Sequence, residues 1–189
     1  MNRFKDIPWL NTLKRRLKAV RRTLPSVYYV VSCLCVFTAV LALLTAFYRP
    51  CAVQGDSMVP TLQSGDRLLL SCGNTEPQYG DIIAVRREGK TPLIKRVIAV
   101  EGDTLRIDEF SGEVYLNGKL LEEPYIKSST PQKELLGEVT VPAGMLFVMG
   151  DNRVVSHDSR YNDIGFVAVE DMIGTAVFRF YPFSRIGGV

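Results

Sequence analysis

From Thr23 to Tyr48 no side chain is charged, and Val27 to Phe47 is almost wholly apolar. About 20 such residues, rising about 1.5 Å each, span the hydrocarbon core of a bilayer, so the pattern predicts one transmembrane helix over 27–48. Ahead of it, Leu10, Leu13, Leu17, Val20 and Leu24 recur at helical spacing, with Lys14, Arg15, Lys18, Arg21 and Arg22 between them. Pro8 stands where a helix could begin, since the first turn tolerates proline. Two readings of this arm are open: a basic amphipathic helix on an anionic leaflet, or a solvated charged arm that only fixes orientation.

Beyond Arg49 the pattern shortens. Apolar runs recur at Arg67 to Cys72, Asp81 to Arg86, Leu93 to Val100, Thr104 to Ile107, Met145 to Met149 and Thr175 to Phe180. Each is rich in β-branched or large apolar residues and is bounded by Gly, Pro, Asn or Asp, which predicts strands. Glu113 to Leu116 followed by Asn117-Gly118 predicts a hairpin. Val169 to Met172 predicts one helical turn, and Lys119 to Leu136, with Pro124 and Pro131, an exposed loop. The expected fold is mainly β: a single N-terminal transmembrane helix, then an all-β unit of barrel-like or two-sheet form, with no second soluble domain.

Charge orients this arrangement. The chain is +3 overall, yet residues 1 to 26 hold eight basic side chains against Asp6 alone, and the remainder holds fifteen basic against nineteen acidic. Lys and Arg before the helix place the N-terminus in the cytoplasm and the residues after Arg49 outside. A cleavable export signal would also pair a basic start with an apolar middle. Here the apolar run is too long and no small-x-small site closes it. Nucleic-acid binding would need a basic face on the folded part, so no nucleic-acid partner is expected.

Cys33 and Cys35 fall in the predicted span, Cys51 and Cys72 outside it, where a disulfide would be permitted. Sequence alone leaves that pairing open. The chain has no Cys-x-x-Cys and one histidine, His157, so neither a metal site nor a cofactor is expected.

Two residues invite a chemical reading. Lys95 lies in Leu93-Ile94-Lys95-Arg96-Val97-Ile98-Ala99-Val100. On a strand, Leu93, Lys95, Val97 and Ala99 share one face. Burial among apolar neighbours would lower the lysine's pKa, letting it act as a general base. The plainer alternative is a lysine that snorkels to water, as Arg96 beside it is expected to do. Ser57, in Gly55-Asp56-Ser57-Met58-Val59-Pro60-Thr61-Leu62, is a candidate nucleophile or an ordinary turn or cap residue. A third segment, Gly150 to Tyr161, carries no aliphatic side chain except Val154 and Val155. It reads as a polar loop that supports a site by hydrogen bonds. A triad through His157 is disfavoured, because Asp158 follows it immediately.

Together the three segments resemble bacterial type I signal peptidases of the single-anchor, Gram-positive-like form. The family's Ser-Met-x-Pro-Thr-Leu is met by Ser57 to Leu62. Its Lys-Arg-Val-Ile followed by Gly-Asp is met by Lys95 to Ile98 with Gly102-Asp103, and its Gly-Asp-Asn-Arg-x-x-Ser-x-Asp-Ser-Arg by Gly150 to Arg160. The resemblance implies a Ser/Lys endopeptidase that removes signal peptides from secreted preproteins, cleaving after small residues through an acyl-enzyme. It implies Ser57 as nucleophile and Lys95 as base, with Ser156 bonded to Lys95. Asp158 and Arg160 would form a supporting pair, with Arg153 and Asp151 shaping the loop. Val53, Met58, Leu62 and Ile94 would line apolar substrate pockets. Gly55 replaces a serine that assists the oxyanion hole in some members, leaving the Ser57 N–H as the main expected donor. The implied organisation is a cytoplasmic arm over 1–26, a membrane helix over 27–48 and an extracytoplasmic catalytic β domain over 49–189, at the cell membrane, with the lipid bilayer as partner. An inactive relative acting as an assembly factor is the non-enzyme alternative, though it would have no need of both Ser57 and Lys95.

Overall fold

The computed structural model of the chain describes residues 8–73, 76–89, 91–134 and 137–189. Arg3, Lys5 and Asp6 of the basic arm lie outside them, as do the side chains of Leu10, Leu17, Val20 and Leu24. One helix, α1, runs Pro8–Phe47. Its stretch Ser26–Phe47, of mean hydropathy 2.5, is long and apolar enough to cross a membrane. Val30, Phe37, Leu44 and their neighbours on it are exposed.

Residues 46–189 form a second compact unit. Its strands are β1 Tyr48–Ala52, β2 Arg67–Ser71, β3 Ile82–Val85, β4 Leu93–Val100, β5 Thr104–Ile107, β6 Val114–Leu116, β7 Lys119–Leu120, β8 Glu138–Thr140, β9 Met145–Met149, β10 Val167–Ala168, β11 Met172–Tyr181 and β12 Gly187–Gly188. A large antiparallel sheet runs β1-β2-β11-β3-β4-β9-β10, with β12 beside β11, and a smaller one runs β7-β6-β5-β8. The mainly β, two-sheet expectation holds. So does the hairpin, whose turn has Asn117 at φ +52° between β6 and β7, and Val169–Asp171 makes one 3₁₀ turn where a helical turn was expected.

Three apolar clusters hold this unit together. Val53, Met58 and Leu62 cover one face of the large sheet, against Leu68, Leu70, Ile82, Ala84, Ile94 and Ala176. Ile83, Val85, Val97, Leu146, Val148 and Val167 form another. Ile98, Ala99, Phe147 and Met149 join the large sheet to Leu105, Ile107 and Val114 of the small one. Ala99 therefore leaves the face expected for it. A bulge in the β4–β9 register between Val97 and Ala99 breaks the alternation there, as an extra unpaired residue does.

One other expectation is corrected, and the open cysteine pairing is answered. The segment after β7 is not simply exposed, since Thr130 is fully buried. Nor do Cys51 and Cys72 approach one another. Cys51 pairs with Leu68, whereas the Cys72 N–H donates to Phe47 O at the other end of the β1–β2 ladder. Four register steps of about 3.4 Å separate them, well beyond the reach of a disulfide. Both are free thiols, and partial burial raises the Cys51 pKa. Phe178, Tyr181 and Phe183 stay on the surface, Phe183 being 80% exposed.

Candidate active site

The Ser57 segment is a loop closed on itself. The Val53 N–H donates to Asp66 O at 2.8 Å and the Gly65 N–H to Val53 O at 3.0 Å, pinning its ends. Inside, Val59 N–H bonds Asp56 O and Leu62 N–H bonds Met58 O, so Ser57 sits in a tight turn. Gly55 enters that turn at φ +80°, a left-handed conformation that a side chain would strain. The Ser57 N–H donates to nothing among the described residues, which leaves it free as a donor to a developing oxyanion.

The loop is then tied to the polar segment after β9. The Asn152 N–H donates to Ser57 O at 2.9 Å, and Asn152 Nδ2 to Asp56 O at 3.1 Å. Gly150 stands where the two meet. A methyl on its Cα would overlap both the Ser57 carbonyl oxygen and Ser156 Oγ. Asp151 binds on the other side. Its carboxylate accepts from Thr61 Oγ1 at 2.5 Å and from Arg96 Nε and Nη2 at 2.9 and 2.7 Å. Arg96 thus does not reach for water as expected. It is buried, donates also to Gly80 O at 2.7 Å, and lies against the Tyr125 ring at 4.1 Å.

Lys95, one residue away, is 2% exposed and pairs across β3–β4 with Ile83. Desolvation pulls its pKa from 10.5 to about 8. The attraction of Asp158 opposes that shift, Arg160 and Arg87 reinforce it, and Asp151 opposes it weakly. Burial therefore decides the shift, as an ammonium removed from water demands. Asp158 accepts from Arg160 Nε at 2.8 Å, Arg160 Nη2 at 2.9 Å and the Gly150 N–H at 3.0 Å. Burial alone would raise its pKa, but Arg160, the nearby Ser156 hydroxyl and the Gly150 N–H hold it below the usual carboxylate range. Arg160 also donates to Arg153 O and Ser156 O, stapling the turn between them.

Ser57, Lys95, Ser156, Asp158, Arg160, Arg153 and Asp151 are thus brought to one region, with two departures. Ser156 Oγ is fully buried without a hydrogen-bond partner, so the expected bond to Lys95 is not formed. It packs against Gly150 and lies close to Asp158 without good bonding geometry. No hydrogen bond joins Ser57 Oγ to Lys95 Nζ either; the polar segment links the two residues. Val53, Met58, Leu62 and Ile94 do gather in one cluster, but as core side chains, Ile94 being the most exposed at 8%. Among the described residues no group of three or more His, Cys, Asp or Glu could hold a metal ion.

The sequence reading missed a second ionic cluster behind the Ser57 loop. Asp66, buried at a Gly-Asp turn, accepts from the Gln63 N–H, from Arg179 and, at 2.6 Å, from Arg185. Arg179 also donates to Thr61 O at 2.9 Å. The only signal was a lone arginine among the aromatic residues of β11, where a charge needs a partner.

The family described as "Signal peptidase, peptidase S26" matches residues 26–181. Signal peptidase I U of Bacillus subtilis is 33% identical over 185 residues, covering 92% of each chain. A probable signal peptidase I-1 of Synechocystis is 43% identical over 162 residues, covering 78% of this chain and 80% of that one. A crystal structure of a signal peptidase I from Enterococcus faecalis is 32% identical, with a TM-score of 0.42, and covers 53% of this chain and 96% of that one.

Proposed function

The chain belongs to the signal peptidase I family and is a serine peptidase that removes signal peptides from preproteins, and from that premise we propose that Ser57 is its nucleophile and Lys95 its general base. The observation that carries this is the lysine: 2% exposed, on a strand, with its pKa drawn down to about 8. At pH 7 about one molecule in eleven then holds a neutral amine, against about one in 3,000 at the ordinary value. A serine hydroxyl needs such a base to attack a carbonyl carbon.

In the proposed sequence, the neutral Lys95 amine takes the Ser57 Oγ proton as Oγ bonds to the scissile carbonyl carbon. The carbonyl oxygen becomes an oxyanion facing the Ser57 N–H. Collapse breaks the carbon–nitrogen bond, the departing amine takes the proton from the Lys95 ammonium, and an acyl-Ser57 ester remains. Lys95 then accepts a proton from water as that water attacks the ester, and returns it to Ser57 Oγ on release of the signal peptide. Hydrogen bonds of this kind are often long before substrate arrives and tighten with it bound, which accommodates the separate Ser57 and Lys95 side chains here. Ser156, with its hydroxyl buried and unpaired beside Asp158, would accept from the Lys95 ammonium when it forms. Asp158 and Arg160 keep that turn in place, and Asp151 and Arg153 hold the segment to Thr61 and Gly150.

The cluster containing Val53, Met58, Leu62 and Ile94 would floor the substrate pocket, admitting small side chains because little of it is open. Ser26–Phe47 would anchor the enzyme in the cell membrane, the basic arm cytoplasmic and residues 49–189 outside.

Cleavage of a preprotein by wild type, Ser57→Ala and Lys95→Ala in detergent tests the dyad. Both variants are expected to be inactive, and retained cutting by either overturns it. A reporter fused after Val189 tests topology; cytoplasmic activity would reverse the orientation.

A further inference from the structure

Residues 121–134 lie between the small sheet and the polar segment after β9, and they end on three of the site's arginines. Arg153 is fully buried, and the one carboxylate it meets among the described residues is Glu123, itself 5% exposed in its side chain. Arg153 Nη1 donates to Glu123 Oε2 at 2.8 Å and to Thr130 Oγ1 at 2.5 Å, while Nη2 donates to Glu123 Oε1. On its other side Arg153 Nε donates to Gly150 O at 3.1 Å. Gly150 is the residue packed against both the Ser57 carbonyl and Ser156 Oγ. A continuous chain of bonds therefore runs from Glu123 to the point where the nucleophile's backbone meets the catalytic turn.

The glutamate is itself held. The Tyr125 hydroxyl donates to Glu123 Oε1 at 2.8 Å, and the Tyr125 ring lies over Arg96 at 4.1 Å and Arg153 at 6.0 Å. Further along, the Thr130 N–H donates to Gly112 O in the turn between β5 and β6, and Pro131 O accepts from Arg160 Nη1 at 2.9 Å. A bidentate arginine–carboxylate pair fixes both distance and plane, which a single contact does not.

We infer that Glu123 is a positioning residue of the peptidase, acting through Arg153 to hold Gly150 and Ser156 against Ser57. This builds on the assignment of Ser57 and Lys95 as the dyad. Glu123 touches neither substrate nor reacting atoms. Without its charge Arg153 is a buried cation with no carboxylate, and it can reach water only by pulling on the Gly150 carbonyl. A displacement of about 1 Å at a catalytic group can lower the rate by about 10²-fold.

The experiment measures kcat and KM of the full-length enzyme in detergent on a preprotein. For Glu123→Gln the expected result is a fall in kcat of about 10- to 100-fold with KM within about twofold, and partial recovery in Glu123→Asp. Leu105→Ala in the small sheet serves as the control for lost stability alone. It should lower the unfolding midpoint while leaving kcat near wild type. The decisive comparison is Glu123→Gln in an Arg153→Met background. No further loss there supports action through Arg153. An additive loss, an unaltered kcat in Glu123→Gln alone, or an equal fall in Leu105→Ala overturns the inference. Should Glu123→Gln fail to fold, the double variant still reports, because it buries no unpaired charge. A double variant as active as Arg153→Met supports the proposal, and a less active one refutes it. Failure of the dyad itself would show separately, as cutting by Ser57→Ala or Lys95→Ala.

Discussion

Replacing Lys95 by methionine should abolish cleavage and at the same time stabilise the protein at neutral pH. Lys95 is 2% exposed, and its pKa stands at about 8 against an ordinary 10.5. The difference of about 2.5 units, at about 1.4 kcal/mol each, amounts to about 3 kcal/mol. The sign follows from proton counting. Between pH 8 and 10.5 the unfolded chain keeps the lysine's proton while the fold has released it, so stability rises with pH across that window. Below pH 8 the full penalty of an ammonium in an apolar site applies. Methionine fills similar space with no charge, so Lys95→Met should be more stable than wild type by up to about 3 kcal/mol at pH 6, the gain shrinking towards zero above pH 10. Chemical unfolding of the full-length protein in detergent from pH 6 to 10 measures it, beside a pH–rate profile of the wild type whose acid limb should fall near pH 8. A pH-independent difference between the two proteins, or an acid limb near 10, would refute the desolvated-base argument.

The other predictions concern packing and charge around the same region. Gly150→Ala places a methyl against Ser57 O and Ser156 Oγ, so kcat should fall by about 10²-fold or more; wild-type turnover would show that the close approach is not needed. Asp66→Asn removes the charge that Arg179 and Arg185 share, and unfolding free energy should drop by about 2 kcal/mol, with no drop if those surface-reaching arginines are satisfied by water. Because Cys51 and Cys72 are held apart by the β1–β2 register, reductant should leave the unfolding midpoint unchanged and both thiols should titrate after unfolding. A disulfide mapped to Cys51 and Cys72 by digestion would contradict that register.

Much of this protein is set by local chemistry. The apolar span is a matter of length and composition, the strands of β-branched runs between turn residues, and the Asn117-Gly118 hairpin of two residues with a preferred backbone. Strands β8, β10 and β12 were not foreseen, because edge strands of two or three residues are too short for a pattern and form only when a neighbour offers a ladder; β1 was missed because Arg49 and Pro50 break any apolar alternation along it. The three motifs likewise name Ser57, Lys95 and the segment Gly150 to Arg160 without any fold, since each keeps its residues together in sequence.

Tertiary structure alone decided how these residues are held. The apolar neighbours of Lys95 on its own strand made burial one reading and left snorkelling to water as the other; the fold decided between them, with β3 paired beside it and Asp158 and Arg160 near it. Arg96, expected in water, is buried because Asp151 and Tyr125 come to it from 55 and 29 positions along the chain. Asp66 with Arg179 and Arg185, and Arg153 with Glu123, are pairs separated by 30 to 119 residues. A charge in sequence looks the same whether it will meet water or its opposite, and only the folded path of the backbone makes that choice.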